Sequence, residues 1–167
     1  MVTSKALSDR QRRIYDFLQQ NPVGILSTTD TDKNPHGTVV YYTTDDNFII
    51  RILAKTGTHT YDNLTHNNHI ALTVFQPHTQ TTAQLHGTAT EQPGTDRISA
   101  VFGAIFGASP RPATIILPPT TSLQASAFTT FQINPGQIHI ATYARADTGA
   151  YSDLFESIES FDFKADS

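Results

Sequence analysis

The residues best suited to bind an anion lie in the segment from Arg51 to Thr60. An apolar run ends at Lys55, Gly57 breaks it, and Thr58 is a typical first residue for a helix. Backbone amides at a helix start, a nearby lysine and hydroxyl donors together suit a phosphate group. A threonine cap beside a solvated lysine would have the same sequence, so the segment alone leaves both interpretations open.

The seven histidines do not follow a metal-binding pattern. His66 and His69 are three residues apart and His59 precedes His66 by seven, whereas a catalytic zinc ion needs three ligands held in place by hydrogen-bonding partners. Asn67-Asn68 indicates a helix end between His66 and His69, which would separate their rings. We therefore predict no metal site and interpret the histidines as surface residues.

Composition, charge and missing motifs exclude several further functions. The 167 residues include no cysteine, which excludes disulfide scaffolds, thiolate-bound metals and cysteine nucleophiles. The net charge of −4, from 11 Lys+Arg and 15 Asp+Glu, argues against a nucleic-acid partner. The sequence contains no G-x-x-x-x-G-K-[ST] loop, G-x-S-x-G elbow or H-E-x-x-H motif. It shows neither a signal peptide nor an apolar run near the roughly 20 residues that span a bilayer, so we expect no membrane association and a cytoplasmic protein.

Most of the chain is predicted to form short strands that position these residues. Apolar alternation between turn residues indicates strands at Val23–Thr29, His36–Thr44, Phe48–Lys55, Ile70–Phe75 and Thr81–Thr90. A last strand pair, Ala127–Ile133 and Gln137–Tyr143, is predicted to turn at Asn134-Pro135-Gly136. Six or seven strands at this spacing favour one mainly β domain over residues 1–167, a barrel rather than an alternating parallel sheet.

Helices are predicted to cover the barrel. The capping box Ser8-Asp9-Arg10-Gln11 begins the first helix, and Thr58 begins a short second one. Apolar residues at helical spacing predict a third helix around Ile98–Phe106 and a C-terminal helix over Ser152–Phe161. The proline-rich segment Pro110–Pro119 is predicted to be a loop.

The chain resembles the pyridoxamine 5'-phosphate oxidase-like family of FMN-binding split barrels. The resemblance is carried by Gly24-Ile25-Leu26-Ser27-Thr28, Pro35-His36-Gly37-Thr38-Val39-Val40-Tyr41-Tyr42, the helix start Thr58–Leu64, Asn67–Phe75 and Gln84-Leu85-His86-Gly87-Thr88-Ala89. It is most specific between Pro22 and Glu91. The resemblance implies a six-stranded antiparallel split β-barrel with a few covering helices, usually a homodimer with two flavin sites at the subunit interface.

The resemblance also implies which residues would bind FMN. The strand residues Thr38, Val39, Val40 and Tyr41 would line the flavin ring. The phosphate would be held by Leu53, Ala54 and Lys55 together with Thr58, His59 and Thr60. Thr82 occupies a position where relatives often have a glutamine.

Two departures from the family pattern affect these expectations. The phosphate site of relatives commonly contains Ser-Arg-Lys, whereas this chain has Thr58-His59-Thr60, so two fixed cations are missing. Either Lys55 and Arg51 compensate or FMN binds weakly, since charge-assisted hydrogen bonds are roughly twice as strong as neutral ones. The chain has no tryptophan and its tail Ser152–Ser167 is acidic, so we do not assign the substrate of a true pyridoxamine phosphate oxidase.

The leading hypothesis is a homodimeric FMN-binding protein that acts as a flavin-dependent oxidoreductase on an unknown small molecule. One alternative is a flavin-binding or sensing module without turnover; another is a split barrel that binds haem through a histidine, or a deazaflavin. No catalytic acid or base is assigned, although Tyr41, His36 and Arg145 could face the ring or a substrate. Apolar strand residues such as Val40, Tyr42 and Phe75 are expected to supply the dimer interface.

Overall fold

The computed structural model describes residues 7–107, 127–144 and 154–163. These residues form three helices, α1 (Asp9–Gln20), α2 (His59–His66) and α3 (Thr95–Gly107). They form seven strands: β1 (Val23–Thr29), β2 (Pro35–Thr44), β3 (Ile50–Lys55), β4 (His69–Gln76), β5 (Thr81–Gln92), β6 (Phe128–Tyr143) and β7 (Phe155–Asp162). The predicted loop Pro110–Pro119 and Arg145 lie outside the described residues.

The strands form one antiparallel sheet in the order β3-β2-β1-β4-β5-β6-β7. An additional pairing between β3 and β6 closes the first six strands into a barrel, and β7 extends the sheet beyond β6. The predicted six-stranded antiparallel barrel with covering helices is therefore confirmed.

Side-chain alternation along the strands fills the barrel. On β4, for example, Ile70, Leu72 and Val74 are buried while the residues between them are more exposed. Helix α1 begins with the predicted capping box at Ser8 and buries Ile14 and Leu18. The helices thus cover apolar surface that the strands alone would leave in water.

Strand β6 corrects the predicted turn at Asn134-Pro135-Gly136, because the chain continues there as one bent strand. The register between β5 and β6 shifts at His86/Gly87, so that Gly87 lies opposite Pro135. A Cβ atom on Gly87 would lie 2.4 Å from the carbonyl oxygen of Asn134, so only glycine permits this approach. The turn-forming residues therefore produce a bulge, where the missing amide of Pro135 is tolerated, rather than a reversal.

Strand β7 corrects the predicted C-terminal helix. Its backbone pairs with the free edge of β6 from Gln137 to Tyr143, which supplies hydrogen bonds that an isolated helix would have to form by itself. Phe161 packs against Phe48, and the Glu159 carboxylate pairs with Arg13 of α1 at 2.9 Å. These tertiary partners override the helical spacing of the apolar residues.

Candidate functional site

The barrel is open between β2 and β3. These strands pair over only three residues, Tyr42–Thr44 with Ile50–Ile52. Further along, the Pro35–Tyr41 part of β2 pairs with β1, and the end of β3 pairs with β6. In the described part of the chain, β3 therefore does not pair with the backbone edge of β2 from Thr38 to Val40. We call this opening the split.

Helix α2 begins beside the end of β3 at the split. The Thr58 hydroxyl accepts a hydrogen bond from the amide of Tyr61 at 3.4 Å and donates to the carbonyl oxygen of Lys55 at 2.8 Å. Farther along α2, the Asn63 side-chain amide donates to the Thr28 hydroxyl at 3.0 Å in a buried contact with β1. These contacts fix the helix start, and the predicted Thr58 cap is confirmed.

The start of α2 also approaches β2 directly. The ring of His59, the first residue of the helix, lies 5.8 Å from the ring of His36 on β2, centroid to centroid. The sequence predicted both residues as separate candidates, but nothing in their spacing indicated that they are neighbours. The split is thus bordered by the open edge of β2, the end of β3 and the first turn of α2.

Ten of the eleven predicted cofactor-binding residues belong to these three elements. The side chains of Val40 and Ala54 are buried in the core, so only their backbone atoms could contact a ligand. Val39, Lys55 and His59 are exposed, and the remaining five are half-buried: Thr38, Tyr41, Leu53, Thr58 and Thr60.

The eleventh predicted residue, Thr82, does not lie at the split of its own chain. It lies on β5 opposite Phe75 of β4. Its partner on β6 is Ala141, whereas β3 pairs only with Phe128–Ile133 of that strand. Ala141 lies eight residues beyond Ile133 along β6, or roughly 26 Å at about 3.3 Å per residue. Thr82 could therefore reach a ligand in the split only from a second copy of the chain.

A sequence-family comparison identifies the group to which this barrel belongs. The family model described as pyridoxamine 5'-phosphate oxidase matches residues 11–140. The chain belongs to the pyridoxamine 5'-phosphate oxidase family. No curated protein sequence matches it.

Solved structures of low sequence identity share the fold of this family member. A Clostridium acetobutylicum protein related to general stress protein 26 is 12% identical, with a TM-score of 0.65 over 95% of this chain and 99% of that one. A heme binding protein from Mycobacterium smegmatis is 16% identical, with a TM-score of 0.67 over 96% of this chain and 61% of that one. An F420 reductase is 18% identical, with a TM-score of 0.58 over 74% of this chain and 94% of that one.

The donors at the split of this pyridoxamine 5'-phosphate oxidase family member fit a phosphate group. The amides of His59 and Thr60 begin α2 and so have no acceptor within the helix. The exposed ammonium of Lys55 ends β3 beside them, and the Thr60 hydroxyl adds a neutral donor. Thr58 is less available, because its hydroxyl already serves the helix cap.

Arg51 does not add to this charge. Its guanidinium pairs with the Asp45 carboxylate at 2.9 Å, at the turn that joins β2 to β3. Of the two cations expected to compensate for the missing family residues, Lys55 is therefore the one positioned to do so.

The outer face of the barrel carries exposed apolar side chains. Val23 is 40% exposed, Ile25 50%, Val39 66% and Phe75 52%. Register places Ile25 opposite Val39, so these residues on β1, β2 and β4 form one surface, which we call the outer patch. Val40 and Tyr42, which the sequence analysis assigned to an interface, are buried in the core instead. An exposed apolar surface of this kind is typical of a protein interface.

A cavity of about 830 Å³ is lined mainly by residues of β1, β4, β5 and β6, with Pro35 at the start of β2. Its lining includes Ser27, His69, His86, Asn134 and Gln137, and none of the eleven predicted residues. The described residues that line the cavity include no lysine or arginine, so a phosphate would lack a fixed countercharge from them, and the split is the better candidate. Among the described residues, no three His, Asp or Glu side chains converge as metal ligands. None of the helices in the described residues is long and apolar enough to cross a membrane.

Proposed function

We propose that this protein binds FMN in the split. The observation that carries the proposal is the early end of the β2–β3 pairing, with a capped helix start at the same opening. A flavin ring needs a flat slot with backbone hydrogen-bonding groups, and its phosphate needs cationic and amide donors. The split offers both within one stretch of chain, and membership of the family supports the assignment.

Different residues would contact the ring and the phosphate of the ligand. The β2 edge from Thr38 to Val40 would border the ring together with Tyr41, with the backbone of Val40 rather than its side chain in reach. Lys55, the amides of His59 and Thr60, and the Thr60 hydroxyl would hold the phosphate. The half-buried Leu53 side chain would add an apolar contact between the two.

We propose that the active species is a homodimer. The outer patch would form the interface, since it exposes four large apolar side chains on one surface of a small barrel. Thr82 lies on that same outer side, so a partner subunit could supply it to the split that its own chain cannot reach. An interface that completes a binding site in this way is expected to bury about 2,000 Å² or more.

We propose that the chemistry is a flavin-dependent oxidation or reduction of a small molecule. FMN supplies the electron-transfer chemistry when bound, and the protein supplies binding and orientation. In the described residues we assign no side chain as general acid or base. A flavin-binding module without turnover would use the same site, and a test of flavin reduction by NADH or NADPH, with and without candidate acceptors, separates the two.

A different ligand is the second candidate. The similar structures include a heme binding protein and an F420 reductase, so the same barrel supports haem or a deazaflavin in other proteins. Identification of the co-purifying ligand by absorbance and mass spectrometry decides between them. We expect FMN. A Soret band, a deazaflavin mass, or a colourless protein that ignores added FMN would contradict the proposal.

The dimer has its own test. Light scattering at micromolar concentration is expected to give about twice 18.3 kDa. Phe75→Glu in the outer patch should produce monomers and weaken FMN binding, because a charge cannot be buried there without a partner. Glu156→Gln, an exposed position on β7, serves as the control. A wild-type monomer that binds FMN fully would overturn the dimer while leaving the flavin site intact.

A further inference from the structure

Two histidines from different elements face each other at the split. His36 lies near the start of β2 and His59 is the first residue of α2. Their ring centroids are 5.8 Å apart and their planes are inclined by 48°. Rings at this separation can both reach one phosphate group, because hydrogen bonds to its oxygens are about 2.8 Å long. The pair therefore offers a clamp whose charge depends on pH.

Both acidic and basic residues belong to the elements around the histidine pair. The pKa of Asp30, in the turn before β2, lies below its usual value, mainly because the Asn34 side chain and backbone donate hydrogen bonds to its carboxylate; the nearby His36 contributes less. The other titratable or charged groups are found on all the elements that meet here: Asp32 and Lys33 in the same turn, Tyr41 and Tyr42 on β2, Arg51 and Lys55 on β3, and Tyr61, Asp62 and His66 on α2. The Nδ1 atom of His66 lies 2.9 Å from the carbonyl oxygen of Asp62, within hydrogen-bond distance.

We propose that His36 and His59 form a proton-coupled clamp on the phosphate of FMN, so that the affinity for the flavin depends on pH. This inference rests on the proposed FMN site. A neutral imidazole donates one hydrogen bond, whereas a protonated imidazole donates two and carries a positive charge. Two protonated rings repel each other in the free protein, and a bound phosphate dianion removes that repulsion.

Linkage fixes the direction of the effect. If the phosphate favours protonated rings, FMN binding takes up protons, and acidification must strengthen FMN binding by the same coupling. FMN affinity is therefore expected to rise about tenfold as the pH falls from about 8.5 to 6.5. Below about pH 6 the phosphate itself takes up a proton, so affinity should pass through a maximum and then fall.

The experiment compares FMN with riboflavin, which has the same ring and no phosphate. Flavin fluorescence titrations at pH 8.5, 7.5, 6.5 and 5.5 would use the wild type, His36→Gln, His59→Gln and the double variant. His78→Gln, at an exposed turn between β4 and β5, is the matched control. Calorimetry in two buffers of different ionisation enthalpy would count the protons taken up on binding.

The proposal expects proton uptake with FMN and none with riboflavin. Each single variant should lose about half of the uptake, the double variant nearly all of it, and His78→Gln none. Parallel FMN profiles for wild type and double variant would overturn the clamp while leaving the flavin site in place. If His36→Gln also loses riboflavin, strand β2 has been disturbed, and His59→Gln, at an exposed helix position, decides the question. Failure of the wild type to bind either flavin at any pH would overturn the proposed FMN site and the clamp together.

Discussion

The two sides of the barrel differ in how far their strands stay paired. On one side, β4 pairs with β5 over eight residues and β5 with β6 over twelve. On the other, β2 pairs with β3 over three. The first side satisfies its own backbone groups, whereas the second leaves a strand edge that can bond to a ligand. If the split binds FMN as proposed, stability and ligand binding are located in different parts of one sheet.

The largest expected effect lies on the fully paired side. Gly87→Ala would place a Cβ atom 2.4 Å from the Asn134 carbonyl oxygen, and neither backbone can move without breaking the β5–β6 pairing. We expect the free energy of unfolding to fall by about 1–3 kcal/mol, the usual range for an overpacked position. Urea denaturation measures this directly.

The matched control is the same substitution at Gly103 on α3, where an added Cβ meets no atom of the described residues within 4 Å. Gly103→Ala should leave stability unchanged or raise it by up to about 1 kcal/mol, as alanine favours helix. Equal effects at the two glycines would show that the close approach at the bulge is not needed for stability.

The next effect lies at the split. Lys55→Gln removes the exposed ammonium at the end of β3, and a hydrogen bond to a charged group contributes about 1.5–3 kcal/mol. FMN affinity should therefore fall about ten- to a hundredfold, while riboflavin affinity and urea stability hardly change. Fluorescence titration with both flavins provides the measurement.

Arg12→Gln on α1 makes the same charge change away from the split and should leave both affinities as they were. An equal loss of FMN and riboflavin in Lys55→Gln would mean that Lys55 acts through folding. Together with Gly87→Ala, this prediction tests whether binding and stability separate as the pairing pattern suggests.

Local patterns predicted much of the paired framework. The β1 bounds, the Ser8 capping box and the Thr58 cap follow from residues that are close in sequence. The course of β6 and the formation of β7 depend on partners far along the chain, Gly87 and the free edge of β6, which no local window contains. Helical spacing and turn residues therefore gave the wrong structure at those two places.

The candidate site was predictable in parts. The helix start and Lys55 could be found from residue types alone, but the split itself exists because β2 and β3 diverge, which is a property of the closed barrel. The residue types also did not predict which side chains of β2 face the core and which face outward. Val40 points inward and Val39 outward, and a one-residue change of register would exchange them.

The smallest effect concerns Tyr42, the first β2 residue that pairs with β3 after the split. Its buried hydroxyl donates to the carbonyl oxygens of Leu18 at 3.1 Å and Asn21 at 2.7 Å, which ties α1 to the barrel. Tyr42→Phe leaves these carbonyls without that donor, so we expect a loss of about 1 kcal/mol in unfolding free energy near pH 7. FMN affinity should hardly change, since the hydroxyl points to α1 and away from the open edge.

The pH dependence of this loss sharpens the prediction. Burial raises the pKa of Tyr42 well above its usual value of 10.0. Above about pH 10 the unfolded chain loses this proton while the folded chain keeps it, so wild-type stability falls by up to about 1.4 kcal/mol per pH unit. The phenylalanine variant lacks the group, and its disadvantage should shrink between pH 9 and pH 11. Urea denaturation across that range measures it, with Tyr15→Phe on α1, whose hydroxyl makes only an exposed contact with Gln19, as the control. A difference that stays constant with pH would show that the Tyr42 hydroxyl ionises as readily in the folded protein as in the unfolded chain.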